Sequence, residues 1–165
     1  MEYISTRNNK KTFSFEQVFL KGLAPDGGLF IPKSLKQFTK DELKSFRNLR
    51  YQDLAKKIVF PFIGDFMSKN ELSDIVDKSY SVFRKDNAVN LIEIGDTKVL
   101  ELFHGPTLAF KDVGARFMAR CLKYANEIKL NKSLTILVAT SGDTGGAVAD
   151  GFYKVEGINV VILYP

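Results

Sequence analysis

The stretch Leu134-Thr135-Ile136-Leu137-Val138-Ala139 is a near-continuous apolar run of strand length, and Ile158-Asn159-Val160-Val161-Ile162-Leu163 is a second. Between them stand the glycine-rich turn Thr140-Ser141-Gly142-Asp143-Thr144-Gly145-Gly146 and a helical segment over about 144–154, closed near Gly157. Strands that are apolar on both faces belong to covered parallel sheets, so the spacing predicts a βαβ unit with a right-handed crossover. Two parallel strands cannot cover themselves. The sequence stops at Leu163-Tyr164-Pro165, where a further crossover would begin. The expectation is a fragment of a longer α/β protein.

Just before this unit lies the loop His104-Gly105-Pro106-Thr107-Leu108-Ala109-Phe110-Lys111. Asp112 is expected to cap the next helix, with Val113, Phe117, Met118, Cys121, Leu122 and Ala125 as its buried face. Further back, residues 91–94 and 99–103 read as strands joined by a tight turn at Gly95-Asp96. The residues before 90 are mostly helical in pattern. Ser14/Gln17, Thr39/Glu42 and Ser68/Glu71 have capping-box spacing. The first box puts Val18 and Phe19 forward as buried candidates, the second Leu43 and Phe46, and the third the stripe Leu72, Ile75, Val76, Tyr80 and Phe83. Pro61 is expected to break or kink a helix over 51–60. Asp26-Gly27-Gly28 forms a turn before a short strand over 29–31 that stops at Pro32.

Composition narrows the function classes. A hydrophobic fraction of 45% and a charged fraction of 26% are those of a soluble globular protein, and fourteen Phe supply its core. The net charge of +5 is scattered in single residues and pairs such as Lys10-Lys11 and Lys56-Lys57. Without a basic stripe, nucleic-acid binding is not expected. One Cys and one His allow neither an internal disulfide nor an all-protein zinc cluster, so no metal is expected. No apolar run reaches the roughly 20 residues of a membrane span, and the N-terminus has no signal-peptide core. The expected location is the cytoplasm.

Two segments carry chemistry. Lys111 sits at a loop-to-helix junction after an uncharged run. Desolvation and a positive helix end there favour the free amine that condenses with aldehydes. Taken blind, a lysine beginning a helix is a surface residue. The turn 140–146 lies at the carboxyl end of a parallel strand, where α/β proteins bind ligands, and its backbone N–H groups and hydroxyls suit a carboxylate or phosphate. It matches neither a P-loop nor a dinucleotide fingerprint, and alone it reads equally as a plain connection. Together, an amine before one helix and an anion-binding turn before the next meet the needs of pyridoxal-phosphate chemistry on an amino acid.

The whole chain resembles the threonine synthase family of the fold type II, tryptophan-synthase-β-like pyridoxal-phosphate enzymes. The resemblance is carried by Tyr3-Ile4-Ser5-Thr6-Arg7, by Gly22-Leu23-Ala24-Pro25-Asp26-Gly27-Gly28-Leu29, by Glu101 through Asp112, and by Thr140-Ser141-Gly142-Asp143-Thr144-Gly145. It implies a mostly helical N-terminal domain over 1–90, and over 91–165 the first part of a three-layer parallel-sheet catalytic domain. It also implies conversion of O-phospho-L-homoserine and water into L-threonine and phosphate, by a monomer or homodimer. Lys111 would hold pyridoxal 5'-phosphate as a Schiff base and serve as general base. Phe110 would pack near the ring, and Asp143 would stand by the cofactor. Thr140, Ser141, Gly142 and Thr144 would hold the substrate carboxylate. His104 reads as a hydrogen-bonded structural residue. The family's glycine-rich cup for the cofactor phosphate finds no match after residue 146, which puts it beyond Pro165 and implies that residues 1–165 alone are inactive. Two other readings are a related lyase on another phosphorylated amino acid and a non-catalytic binding protein of this fold.

Overall fold

The computed structural model describes residues 1–84 and 88–165. It divides into two compact units, one of residues 1–49 and 53–73, the other of residues 50–52 and 74–165.

The first unit begins with β1 (Tyr3–Ser5), α1 (Phe15–Lys21) and β2 (Phe30–Pro32). β1 pairs antiparallel with β2, Tyr3 facing Pro32 and Ser5 facing Phe30. The sequence showed no β1, because three residues are too few for a period-2 pattern to register. α2 (Lys40–Phe46) and α3 (Tyr51–Ile63) follow, then a short 3-10 turn and the start of α4 (Lys69–Tyr80). Both partners of the capping boxes at Ser14/Gln17 and Thr39/Glu42 are in place. In the third, Ser68 N–H donates to Glu71 at 2.6 Å and the Glu71 amide donates back to Ser68 Oγ at 3.3 Å. Each of these boxes is local to one turn, which is why sequence reveals it.

Pro61 does not break its helix. α3 runs through it to Ile63; the missing N–H and the clash with the carbonyl four residues back fall where the helix is about to end, so little helix lies beyond them. Leu43 is also not a core residue, standing 54% exposed, and Val18 and Phe19 are half-buried. Aromatic rings fill the interior instead. Phe13 meets Phe30 edge-on at 4.9 Å, and Phe15 lies 5.4 Å from Phe66.

The second unit holds the C-terminal part of α4, whose Ile75, Val76 and Tyr80 are buried as the stripe predicts. Next come β3 (Asn90–Ile94) and β4 (Thr97–Glu101), paired antiparallel through a turn at Gly95-Asp96. α5 (Lys111–Ala125) continues into a π-helical turn over Asn126–Leu130. Then β5 (Leu134–Ala139), α6 (Asp143–Phe152) and β6 (Ile158–Leu163) form the expected βαβ unit, with Leu134 beside Ile158 and Ala139 beside Leu163 in parallel.

The core of this unit is Ala109, Ala115, Ala119, Ala147, Val148, Phe152 and Ile158, with Leu122, Ile136, Val138 and Val160 packed on it. The expected buried face of α5 is met only in part: Cys121 and Ala125 are buried and Leu122 packs on the core as expected, but the first half of the helix turns a different face inward. Ala115, Arg116 and Ala119 are buried, Val113 and Phe117 only half so, and Met118 is exposed. Small side chains let α5 and α6 approach closely. A Cβ on Gly151 of α6 would lie 3.2 Å from the carbonyl carbon of Ala115 and 3.3 Å from the amide of Arg116. Where the helices touch, the Arg116 guanidinium pairs with Asp150 and Arg120 donates to the Gly151 carbonyl at 2.7 Å. Among the described residues no helix is long and apolar enough to cross a membrane.

Candidate functional site

The lysine loop is anchored at both ends. At its start, Glu101 accepts from Asn90 Nδ2 at 3.1 Å, and its Oε2 lies 2.8 Å from Nε2 of the buried His104. The His104 carbonyl accepts from the Arg84 amide at 3.0 Å. At its end, the carboxylate of Asp112 accepts from the amide of Thr107 at 2.9 Å and from its hydroxyl at 2.6 Å. Asp112 is therefore not the N-cap that the sequence suggested. Phe110 holds the cap position with helical dihedrals and no side-chain bond, and α5 starts at Lys111. Asp112, wholly buried in the first turn, folds back on the loop, where the positive helix end favours a carboxylate. A Cβ on Gly105 would lie 2.6 Å from the Cβ of Asp112, so only glycine fits there.

Leu108, at φ 63, is a non-glycine residue in the left-handed region. Such strain costs about 1–2 kcal/mol and collects at functional sites. Nothing in its residue type announces this, so sequence reading missed it.

This loop delivers Lys111 to the first position of α5. Its Nζ lies 2.8 and 2.9 Å from the two carboxylate oxygens of Asp143, and 4.4 Å from the centroid of the Phe110 ring. Asp143 is the first residue of α6. One ion pair thus joins the N-terminal ends of the two helices. The hydrogen bond from Lys111 is the chief cause that holds the Asp143 carboxyl below its usual range; desolvation, the next largest, opposes it, and the Lys111 charge and the Thr144 and Asp143 amides add to the lowering. The side chains are 31% and 55% exposed, so the pair is partly screened.

Of the remaining predicted residues, Thr140, Ser141 and Gly142 lie in the turn that enters the same helix, and Thr144 lies in its first turn. The Thr140 amide donates to the Leu163 carbonyl at 3.1 Å, tying the turn to the end of β6, and Thr140 Oγ1 accepts from the Gly142 amide at 3.3 Å. Ser141, Gly142 and Asp143 are exposed and Thr144 is half-buried. The structure thus brings Lys111, Phe110 and Asp143 into contact, and sets Thr140, Ser141 and Gly142 in the turn before Asp143 and Thr144 in the first turn of α6.

An aldehyde cofactor with a planar ring asks for an amine, an apolar surface beside it, and donors for anionic groups. Lys111 supplies the amine, and Phe110 exposes 58% of its surface beside it. A Cβ on Gly142 would meet nothing within 4 Å, so there is open space at the turn. These residues fit such a group.

Residues 2–80 match the family model described as "Threonine synthase N terminus". The whole chain is 39% identical to the threonine synthase of Pseudomonas aeruginosa, covering 35% of that protein, and 38% identical to the human "Threonine synthase-like 2", covering 34% of it. The structure is similar to the pyridoxal-phosphate-bound threonine synthase of Brucella melitensis, with a TM-score of 0.94 and 38% identity over all of this chain and 36% of that one. The chain spans about a third of the length of the curated relatives it matches.

Proposed function

Because the chain belongs to the threonine synthase family and matches its N-terminal portion, we propose that it supplies the amine and the substrate-carboxylate turn of a pyridoxal-phosphate-dependent threonine synthase. This lyase converts O-phospho-L-homoserine and water into L-threonine and phosphate in the cytoplasm, by γ-elimination and β-addition of water. The observation that carries the reading is the Lys111–Asp143 pair, which brings the amine to the entrance of the helix behind the glycine-rich turn.

When bound, pyridoxal phosphate supplies an aldehyde for the amine and an electron sink for the charge that develops at the substrate carbon. Lys111 anchors it, then takes and returns protons at Cα and Cβ. Phe110 offers an apolar wall beside Nζ. Thr140, Ser141, Gly142 and Thr144 hold the substrate carboxylate with hydroxyls and helix-end N–H groups. Asp143 orients Nζ. The cup for the cofactor phosphate lies outside residues 1–165, and these residues alone are inactive. Full activity from them would overturn that.

The deciding experiment is the visible absorbance of the complete gene product with pyridoxal phosphate, before and after borohydride. A cofactor band that borohydride bleaches, and that Lys111→Ala lacks, is expected. A band that survives the substitution defeats the assignment. The likeness to "Threonine synthase-like 2" supports a second reading, a lyase on another phosphorylated amino acid, which a substrate panel separates from the first. A non-catalytic binding protein has no need of the amine held at the turn.

A further inference from the structure

We propose that Asp143 is a positioning residue that tethers the Lys111 amine, so that capture of an aldehyde by Lys111 must first break this ion pair. The inference rests on the reading of Lys111 as the cofactor's anchor and adds what controls its loading.

The geometry sets the requirement. Both carboxylate oxygens of Asp143 accept from Nζ, at 2.8 and 2.9 Å, and the Phe110 ring lies 4.4 Å away. Two of the three ammonium N–H directions are thus taken by one partner. Condensation needs the nitrogen lone pair. The ammonium first gives one proton to solvent. The free amine then forms a bond to the carbonyl carbon, the carbon–oxygen bond breaks, and the oxygen leaves as water with the two hydrogens that remained on nitrogen. No oxidant or reductant is involved.

Asp143 holds the nitrogen, and its two bonds from Nζ must break before the amine can turn to a carbonyl carbon. Its carboxyl is held below the usual carboxylate range, with the Lys111 hydrogen bond the largest cause, so it stays an acceptor and does not carry the proton away. It is also the first residue of α6, where the helix end favours a carboxylate. The tether is nonetheless built to open. With side chains 31% and 55% exposed, the pair has the strength of a surface ion pair, roughly 1.5- to 5-fold in an equilibrium, and it weakens as salt screens it.

The test uses the complete gene product freed of cofactor and mixed with pyridoxal 5'-phosphate. Adduct formation is followed by absorbance, and the adduct is trapped with borohydride and mapped to Lys111. At low salt and neutral pH, Asp143→Asn is expected to capture the aldehyde roughly two- to fivefold faster than the parent protein. Asp143→Ser should do the same while keeping a small polar residue at the helix start, and Asp143→Glu, which restores the carboxylate, should return the rate toward the parent's. Because salt also screens the attraction of the anionic phosphate to parent and variants alike, the ratio of the Asn and Ser variants' rates to the parent's is the measure, and it should fall toward one between about 0.02 M and about 0.5 M salt.

Capture by the Asn and Ser variants at or below the parent's rate, or a variant-to-parent ratio indifferent to salt, overturns the tether. If the parent forms no trapped adduct at Lys111, or Lys111→Ala forms as much, the anchor reading itself has failed. The two failures are distinct.

Discussion

Asp112 is wholly buried, and its carboxylate receives both the amide and the hydroxyl of Thr107. It has no cation to neutralise it in these bonds, so the two donors and the end of α5 carry its desolvation. Replacing it by Ala removes two bonds to a charged acceptor and leaves a gap beside Gly105. Each such bond is worth about 1.5–3 kcal/mol. Thr107 is half-buried and recovers part of this from water, so the expected loss is about 2–4 kcal/mol. Asp112→Asn keeps the volume and one acceptor and should lose about half as much. Urea unfolding of both variants measures this. Equal losses below about 0.5 kcal/mol would remove the clamp from the account. The presence of Asp112 beside Lys111 was legible in the sequence, but its role was not. An acidic residue at a helix start reads as a cap until the loop that it grips is seen.

At the scale of elements, α5 and α6 are held by closeness rather than by large side chains. Ala115, Ala119, Ala147 and Gly151 line the contact, and large residues on α5 such as Met118 point elsewhere. Gly151→Ala places a methyl 3.2 Å from a helix backbone, which cannot turn aside as a side chain can. Overpacking of this kind costs about 1–3 kcal/mol. The gain in helix propensity returns up to about 1 kcal/mol, so the net loss should be about 1–2 kcal/mol. Gly146 of the same helix meets nothing within 4 Å, and Gly146→Ala should stabilise by up to about 1 kcal/mol. Opposite signs from one substitution in one helix, read as thermal midpoints, test the packing directly. Capping boxes and hairpin turns are settled within a few residues, as Ser14/Gln17 and Gly95-Asp96 show. Which face of a helix is buried depends on the neighbour, and a small-residue face is invisible to a pattern that seeks large apolar side chains.

For the molecule as a whole, the βαβ unit was legible because its strands are near-continuous apolar runs, and both strands begin and end where the sequence put them. The meeting of Lys111 with Asp143, 32 residues apart, was not, since no local pattern fixes which helix ends adjoin. The same runs carry a further consequence. One face of the sheet, with Ile136, Val138 and Val160, packs on α5 and α6. The other leaves Leu137 65%, Val161 43% and Leu163 50% exposed. Contiguous exposed apolar surface drives association in a soluble protein. Residues 1–165 expressed alone should therefore bind a hydrophobic dye and self-associate with rising concentration. Leu137→Lys with Leu163→Lys should reduce both, because each side chain already faces outward and Lys differs from Leu mainly in strand preference. That preference costs less than about 1 kcal/mol per site, so the unfolding free energy should fall by less than about 2 kcal/mol. A larger fall, with dye binding unchanged, would mean that these leucines are packed rather than exposed, and the open face of the sheet would have to be withdrawn.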